Sequence, residues 1–158
     1  MAELTASHLR KQIDSGNLDP VYLVLGDDDY EKAEVADEFE ATIDEELRPF
    51  NVTRFYGDES SLDDILEASR TLPMMAQRRL VIVIRSERLL QPKRESQASI
   101  RALEDFNLYL RNPAPTTTLV IVAGTLDKRS KIYKSLMKSS TLTRLGVLAD
   151  SGDAERWI

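Results

Sequence analysis

Apolar residues cluster along the chain in two different patterns, and the first of them predicts strands. Three short stretches, Val21–Leu25, Leu80–Ile84 and Leu119–Ala123, are apolar at every position, without alternation between an inner and an outer face. Strands of this kind are buried on both faces, as in a parallel sheet that is covered by helices. We predict two further strands, at Asn51–Tyr56 and near Thr143–Leu148.

The second pattern is a helical spacing of apolar residues between these strands. It predicts helices at Leu4–Ser15, about Asp29–Leu47, Ser61–Arg70, about Ser96–Leu110 and about Asp127–Lys138. Thr5, Ser61 and Asp127 are the predicted N-caps of their helices. Strands that alternate with helices are typical of βαβ units. We therefore predict an α/β fold, a three-layer α/β/α sandwich around a five-stranded, mostly parallel sheet.

The length of 158 residues suits one domain of ordinary size. A short amphipathic segment begins near Asp153 and contains Trp157. We predict one domain over residues 1–150 and the first turns of a following domain in residues 151–158. The alternative is a short final helix that packs on the sheet.

Composition excludes several classes of protein. The net charge of −6 argues against a general nucleic-acid coat, although local basic patches remain open. The chain has no cysteine, so a disulfide framework and a thiolate metal site are excluded. No apolar run reaches the length of a membrane span, and the residues after Met1 lack a signal-peptide pattern. We expect a cytoplasmic protein with no metal, no cofactor and no membrane partner.

The first predicted strand ends at the place where an ATP-binding α/β protein would have its phosphate loop. Four carboxylates stand among the five residues that follow Gly26, and they would repel a polyphosphate. Arg85 directly follows the predicted strand Leu80–Ile84, at the place where an ATPase would have a magnesium-binding carboxylate. The predicted remnant of a nucleotide site consists of Gly26, Asp27, Asp28, Asp29 and Arg85. An α/β domain that never bound nucleotide fits these residues equally well, and the competing function is an ATPase with an atypical site.

Two adjacent methionines lie in the connection between the predicted helix Ser61–Arg70 and the predicted strand Leu80–Ile84. Pro73 ends the helix, and Met74 and Met75 follow it in a segment without helical or strand periodicity. Methionine is adaptable and is common on binding surfaces. The pair is therefore either an apolar wedge for a partner's pocket or a cover for the protein's own core, and residue types alone slightly favour the core.

A basic run near the C-terminal end contains Lys128, Arg129, Lys131 and Lys134, with no acidic residue among them. A solvated helix face is the ordinary explanation of such a run. Contact with the phosphates of DNA is the alternative.

Four stretches of the chain together resemble one protein family. They are Pro20–Gly26, Phe50–Glu59, Leu72–Val81 and Leu126–Lys134, and they occur in the order of the family. On these stretches the chain resembles the N-terminal domain of the delta subunit of the bacterial DNA polymerase III clamp loader.

The resemblance implies a domain related to AAA+ ATPases that does not itself bind ATP or catalyse a reaction. It implies that the domain binds the ring-shaped sliding clamp and helps to open it for loading onto DNA during replication. It implies that other subunits of the loader hydrolyse ATP. The implied partners are subunits of the gamma/tau and delta prime type, bound through later domains, and primed DNA within the complex. The family's clamp-binding wedge maps onto Met74 and Met75, with Leu72 beside them, and Met75 stands where the family commonly has an aromatic residue.

Overall fold

A computed structural model describes residues 2–146 of the chain. Its strands are β1 (Ala2–Glu3), β2 (Val21–Gly26), β3 (Val52–Tyr56), β4 (Arg79–Ile84), β5 (Thr117–Ala123) and β6 (Thr141–Leu145). They form one sheet in the order β1-β6-β2-β5-β4-β3. Every pair of neighbouring strands in this sheet is parallel.

The helices are α1 (Ala6–Ser15), α2 (Asp29–Glu40), α3 (Arg48–Asn51), α4 (Leu62–Arg70), α5 (Glu87–Leu90), α6 (Gln97–Arg111) and α7 (Lys131–Ser139). A single turn of 3₁₀-helix, Glu45–Leu47, precedes α3. The hydroxyl of Thr5 caps α1, and the hydroxyl of Ser61 caps α4, as the sequence predicted.

Two apolar cores lie on opposite faces of the sheet, because alternate residues of each buried strand point to opposite sides. Leu23 and its same-face neighbours pack against α4, α6 and α7. Tyr22 and Val24 point the other way and pack against α1 and α2. The predicted three-layer α/β/α sandwich with a parallel sheet is confirmed.

The predicted number of strands was wrong, because the described sheet has six strands rather than five. The additional strand is β1, which pairs with β6 through Ala2 and Glu3. Two exposed residues show no periodicity, so no pattern in the sequence marks them as a strand.

The first helix begins at Ala6 rather than Leu4, and two further helices differ more from their predicted bounds. The helix that begins at Asp29 stops at Glu40 rather than Leu47, and the hydroxyl of Thr42 then donates a hydrogen bond of 2.6 Å to the carbonyl of Phe39. Asp127 does not cap α7. The cap is Ser130, whose hydroxyl accepts a hydrogen bond of 3.2 Å from the backbone N–H of Tyr133.

The last predicted strand begins earlier than expected, at Thr141, and ends at Leu145. The predicted start of a further domain in residues 151–158 lies outside the described residues. Within the part of the chain that is described, no helix is long and apolar enough to cross a membrane.

Candidate functional site

The segment Thr71–Arg78 connects α4 to β4 and lies at the edge of the sheet where the strands begin. We call this segment the methionine loop. Its position follows from the register of β4, whose first residue, Arg79, is opposite Thr117, the first residue of β5. Pro73 lacks a backbone N–H and cannot continue the helix, so the chain leaves α4 before the two methionines.

Three apolar side chains of the methionine loop are exposed. Leu72 is 73% exposed, Met74 is 55% exposed and Met75 is 86% exposed. Neither methionine belongs to the two buried cores, so the pair does not fill the protein's own interior. The loop therefore exposes apolar surface to solvent.

One buried side chain holds the backbone of the methionine loop. Asn51, the last residue of α3, is fully buried. Its Oδ1 accepts a hydrogen bond of 2.7 Å from the backbone N–H of Met74, and its Nδ2 donates one of 2.8 Å to the carbonyl of the same residue. Nδ2 also donates a hydrogen bond of 3.0 Å to the carbonyl of Leu47. Sequence reasoning missed Asn51, because 23 residues separate the two partners and no local pattern links them.

Arg79 anchors the end of the same loop. Its guanidinium donates hydrogen bonds of 2.8 Å to the carbonyl of Ala68, 3.0 Å to the carbonyl of Phe50 and 3.3 Å to the hydroxyl of Thr53. These contacts join the end of α4, the end of α3 and the start of β3. The backbone that carries the exposed methionines is thus held by hydrogen bonds at Met74 and at Arg79.

A groove of about 740 Å³ lies beside Met75. Its walls are residues 15–18 at the end of α1, residues 42–44 after α2, Leu47 and residues 75–78 of the methionine loop. A partner that contacts Met75 can extend into this groove.

The opposite edge of the sheet, where the strands end, contains the predicted remnant of a nucleotide site. Here α2 begins at Asp29, only three residues after Gly26, so there is no long loop to surround phosphates. The carboxylate of Asp28 accepts a hydrogen bond of 3.1 Å from the backbone N–H of Glu31. A phosphate at a helix N-terminus would use backbone N–H groups of this kind, and here the chain's own carboxylate occupies one.

Backbone segments also approach each other closely at this edge. A Cβ on Gly26 would lie 2.2 Å from the carbonyl oxygen of Leu145, and a Cβ on Gly57 would lie 1.8 Å from that of Arg85. Both distances are too short for any side chain. The ends of β2 and β3 are therefore packed directly against neighbouring backbone.

Arg85 is directed to the neighbouring strand β3 and the loop that follows it. It has a left-handed backbone, with φ of 54°, and its guanidinium donates hydrogen bonds of 3.2 and 3.3 Å to Asp58. The same group lies over the ring of Tyr56, at 5.2 Å from the ring centre. A hydrogen bond from its own backbone, and then the Arg85 guanidinium, lower the pKa of Asp58. The structure therefore pairs Arg85 with Asp58, and not with Asp27, Asp28 or Asp29.

Sequence reasoning missed a lysine in this region. Lys32 stands six residues after Gly26, which is the spacing between the first glycine and the lysine of a phosphate loop. That spacing was visible in the sequence. In the structure the lysine lies in the first turns of α2, and its Nζ is 3.2 Å from Asp29 Oδ1.

The basic run is divided between a turn and a helix. Lys128 and Arg129 lie in the turn before α7, whereas Lys131 and Lys134 lie on α7 itself. Arg129 forms an ion pair of 3.2 Å with Asp127, and its hydrogen bond lowers the pKa of that carboxyl. The basic surface is therefore smaller than the sequence suggested. Among residues 2–146, no group of three metal-binding side chains comes together.

Comparison with known protein families shows to which family the chain belongs. The family model described as DNA polymerase III, delta subunit, matches residues 22–145. This range contains the methionine loop and the residues that follow Gly26. This chain belongs to that family. The resemblance stated from the sequence is confirmed.

Individual relatives agree with this assignment of the delta-family chain. It is 34% identical over 133 residues to DNA polymerase III subunit delta of Bacillus subtilis, an alignment that covers 81% of this chain and 38% of the relative. A solved structure of the Bacillus subtilis DNA clamp loader delta protein matches with a TM-score of 0.76 and 29% identity, over 88% of this chain and 42% of that one.

A structure of a DNA polymerase III gamma subunit-related protein from Thermotoga maritima matches with a TM-score of 0.61 at 19% identity, over 93% of this chain and 47% of that one. At this identity the match shows a shared fold. The delta-family chain spans about two-fifths of the length of the delta relatives that it matches.

Proposed function

We propose that this domain binds the sliding clamp through Leu72, Met74 and Met75 and helps to open the ring for loading onto DNA during replication. Membership of the delta family supports this role. The observation that carries it is the exposure of both methionines on a loop whose backbone is fixed. The domain acts as a binding module and does not catalyse a reaction.

Burial of the two methionines can supply part of the binding free energy, and further contacts must supply the rest. Burial of one methionine side chain contributes about 1.5–3 kcal/mol, so two contribute about 3–6 kcal/mol before ordering costs. A micromolar complex requires about 8 kcal/mol. Leu72 and Phe50 supply further apolar area, since Phe50 is 54% exposed and lies next to Asn51, which binds Met74.

The other partners follow from the same role. In our proposal, subunits of the gamma/tau and delta prime type contact parts of the protein that follow this domain, and ATP is hydrolysed by other subunits of the loader. Primed DNA passes through the assembled loader, in the cytoplasm where bacterial DNA is replicated.

An ATPase with an atypical site is the alternative, and the carboxyl edge of the sheet disfavours it. The short turn after Gly26 provides no loop to surround a triphosphate, and the carboxylate of Asp28 at the N-terminus of α2 would repel one. Isothermal titration calorimetry with ATP and Mg²⁺ separates the two functions. Micromolar binding would favour the alternative, and no binding at millimolar ATP supports a clamp-binding role.

The proposed surface is tested by titrating this chain against the sliding clamp of the same organism. We expect the double variant Met74→Ala/Met75→Ala to bind at least about 100-fold more weakly, because about 3 kcal/mol or more of apolar burial is removed. Tyr30→Ala is the matched control, since Tyr30 is 75% exposed at the opposite edge of the sheet. Unchanged affinity in the methionine variant would remove these residues from the proposed interface.

A further inference from the structure

The hydrogen bonds of Asn51 are matched to one backbone conformation of the methionine loop. An Asn side chain has one carbonyl oxygen and two N–H donors. Here the oxygen accepts from the N–H of Met74, while the amide nitrogen donates to the carbonyls of Met74 and Leu47. The same side chain thus satisfies both backbone polar groups of Met74, and both of its donors are used.

The backbone conformation of the next residue, Met75, must be held by contacts from elsewhere in the chain. Met75 has a left-handed backbone, with φ of 58°, which residues with a side chain seldom adopt. Its side chain is 86% exposed, so its own packing does not hold it there. The contacts that fix this stretch come from the buried side chain of Asn51 on one side and from Arg79 on the other.

We propose that Asn51 is a positioning residue, which holds Met74 and Met75 in their clamp-binding arrangement before the clamp arrives. The inference rests on the proposed function, because it concerns the same surface. Without Asn51 the loop would exchange among conformations, and binding would carry the cost of ordering it. Asn51 therefore raises clamp affinity without contacting the clamp.

The test combines amide hydrogen exchange on the free chain with titration against the sliding clamp. In Asn51→Ala we expect the backbone N–H of Met74 to exchange at least about tenfold faster, since its hydrogen-bond acceptor is lost. We expect clamp affinity to fall about tenfold, the effect of ordering the backbone of about one residue on binding. Asn51→Ser, whose short side chain cannot bond both groups of Met74, gives the same readouts if Asn51→Ala does not fold.

A double-mutant cycle separates positioning from a general loss of stability. In the Met74→Ala/Met75→Ala background, Asn51→Ala is expected to change clamp affinity by less than about twofold, because the side chains that it positions are gone. Ser86→Ala is the matched control. Ser86 is buried at the opposite edge and donates a hydrogen bond of 3.0 Å to the carbonyl of Val122, so its loss lowers stability but leaves clamp affinity unchanged.

The outcomes distinguish failure of this inference from failure of the proposed function. If the methionine variant binds more weakly but folded Asn51→Ala binds like the parent chain, Asn51 has no positioning role. Unchanged exchange at Met74 in Asn51→Ala would also overturn the inference, and this readout does not involve the clamp. If instead the methionine variant keeps full affinity, the proposed surface is wrong.

Discussion

The two edges of the parallel sheet are built in opposite ways. At the edge where the strands end, Gly26 and Gly57 let backbone segments meet, and Asp28 occupies the N-terminus of α2 with its own carboxylate. At the edge where the strands begin, the methionine loop leaves Met74 and Met75 exposed, and hydrogen bonds to the buried side chain of Asn51 fix its backbone. At the first edge the chain's own polar groups and backbone contact one another, whereas the second edge presents apolar side chains outward.

The difference between the two edges shows that a parallel α/β sheet can lack a phosphate-binding loop where its strands end and still present an apolar surface where its strands begin. In α/β proteins with open sheets, ligands commonly bind where the strands end. In this delta-family chain that edge has no long phosphate loop and is rich in carboxylates, whereas the exposed side chains of Leu72, Met74 and Met75 lie at the other edge. Changes at the two edges are therefore expected to have separate effects, on stability at one edge and on clamp binding at the other.

The largest expected effect is that of Met74→Asp on clamp affinity. A carboxylate placed in an apolar pocket loses its hydration, so we expect affinity to fall more than about 100-fold. The melting temperature should change little, because Met74 is 55% exposed. Surface plasmon resonance against the clamp measures the effect, with Tyr30→Asp as the control at the opposite edge. An equal loss in both variants would mean that the two edges do not differ in function.

Gly57→Ala should act on stability alone. Its Cβ would lie 1.8 Å from the carbonyl oxygen of Arg85, so the backbone must shift. We expect the free energy of unfolding to fall by about 2–3 kcal/mol, measured by urea denaturation. Gly124→Ala is the matched control at the same edge, because its nearest contact would be at 3.9 Å. Clamp affinity of the folded fraction should be unchanged in both variants, and a selective loss in Gly57→Ala would link this edge to the clamp.

Phe50→Ala should have a smaller effect at the binding edge. Phe50 is 54% exposed, and its carbonyl is held by Arg79, which also anchors the methionine loop. We expect clamp affinity to fall about fivefold, as for a residue at the margin of an interface. Surface plasmon resonance, as for Met74→Asp, measures this effect. A loss as large as that of Met74→Asp would place the centre of the interface at Phe50.

The smallest expected effect concerns DNA. Lys131 lies at the start of α7 and is exposed, whereas Arg129 is paired with Asp127. If α7 contacts phosphates, Lys131→Glu reduces the salt dependence of weak DNA binding by about one phosphate contact. Fluorescence anisotropy at low salt measures this, with Lys11→Glu on α1, in the opposite helical layer, as the control. Equal DNA binding by both variants and the parent chain would leave the basic run as a solvated surface.

Much of the fold could be predicted because its signals are local. The buried strands are continuously apolar, and Thr5 and Ser61 cap their helices as expected. The two-residue strand β1 could not be predicted, since its pairing with β6 joins residues at opposite ends of the chain. The cap of α7 was misassigned because Asp127 and Ser130 are both good N-caps, and only the structure shows which hydrogen bond forms.

The candidate site was less accessible to sequence reasoning. Residue types could not decide whether Met74 and Met75 were buried, because exposure depends on how distant segments pack. Asn51 was invisible for the same reason, whereas Lys32 was marked by its spacing from Gly26 and overlooked among four carboxylates.

Site-specific photocrosslinking tests the central claim most directly. The chain has no cysteine, so Met75→Cys creates a single thiol that can carry a benzophenone group. Irradiation with the sliding clamp is expected to give a crosslinked product from position 75, while the same label on Tyr30→Cys, at the other edge, gives none. Crosslinking from Tyr30→Cys but not from Met75→Cys would contradict a clamp-binding surface at the edge where the strands begin.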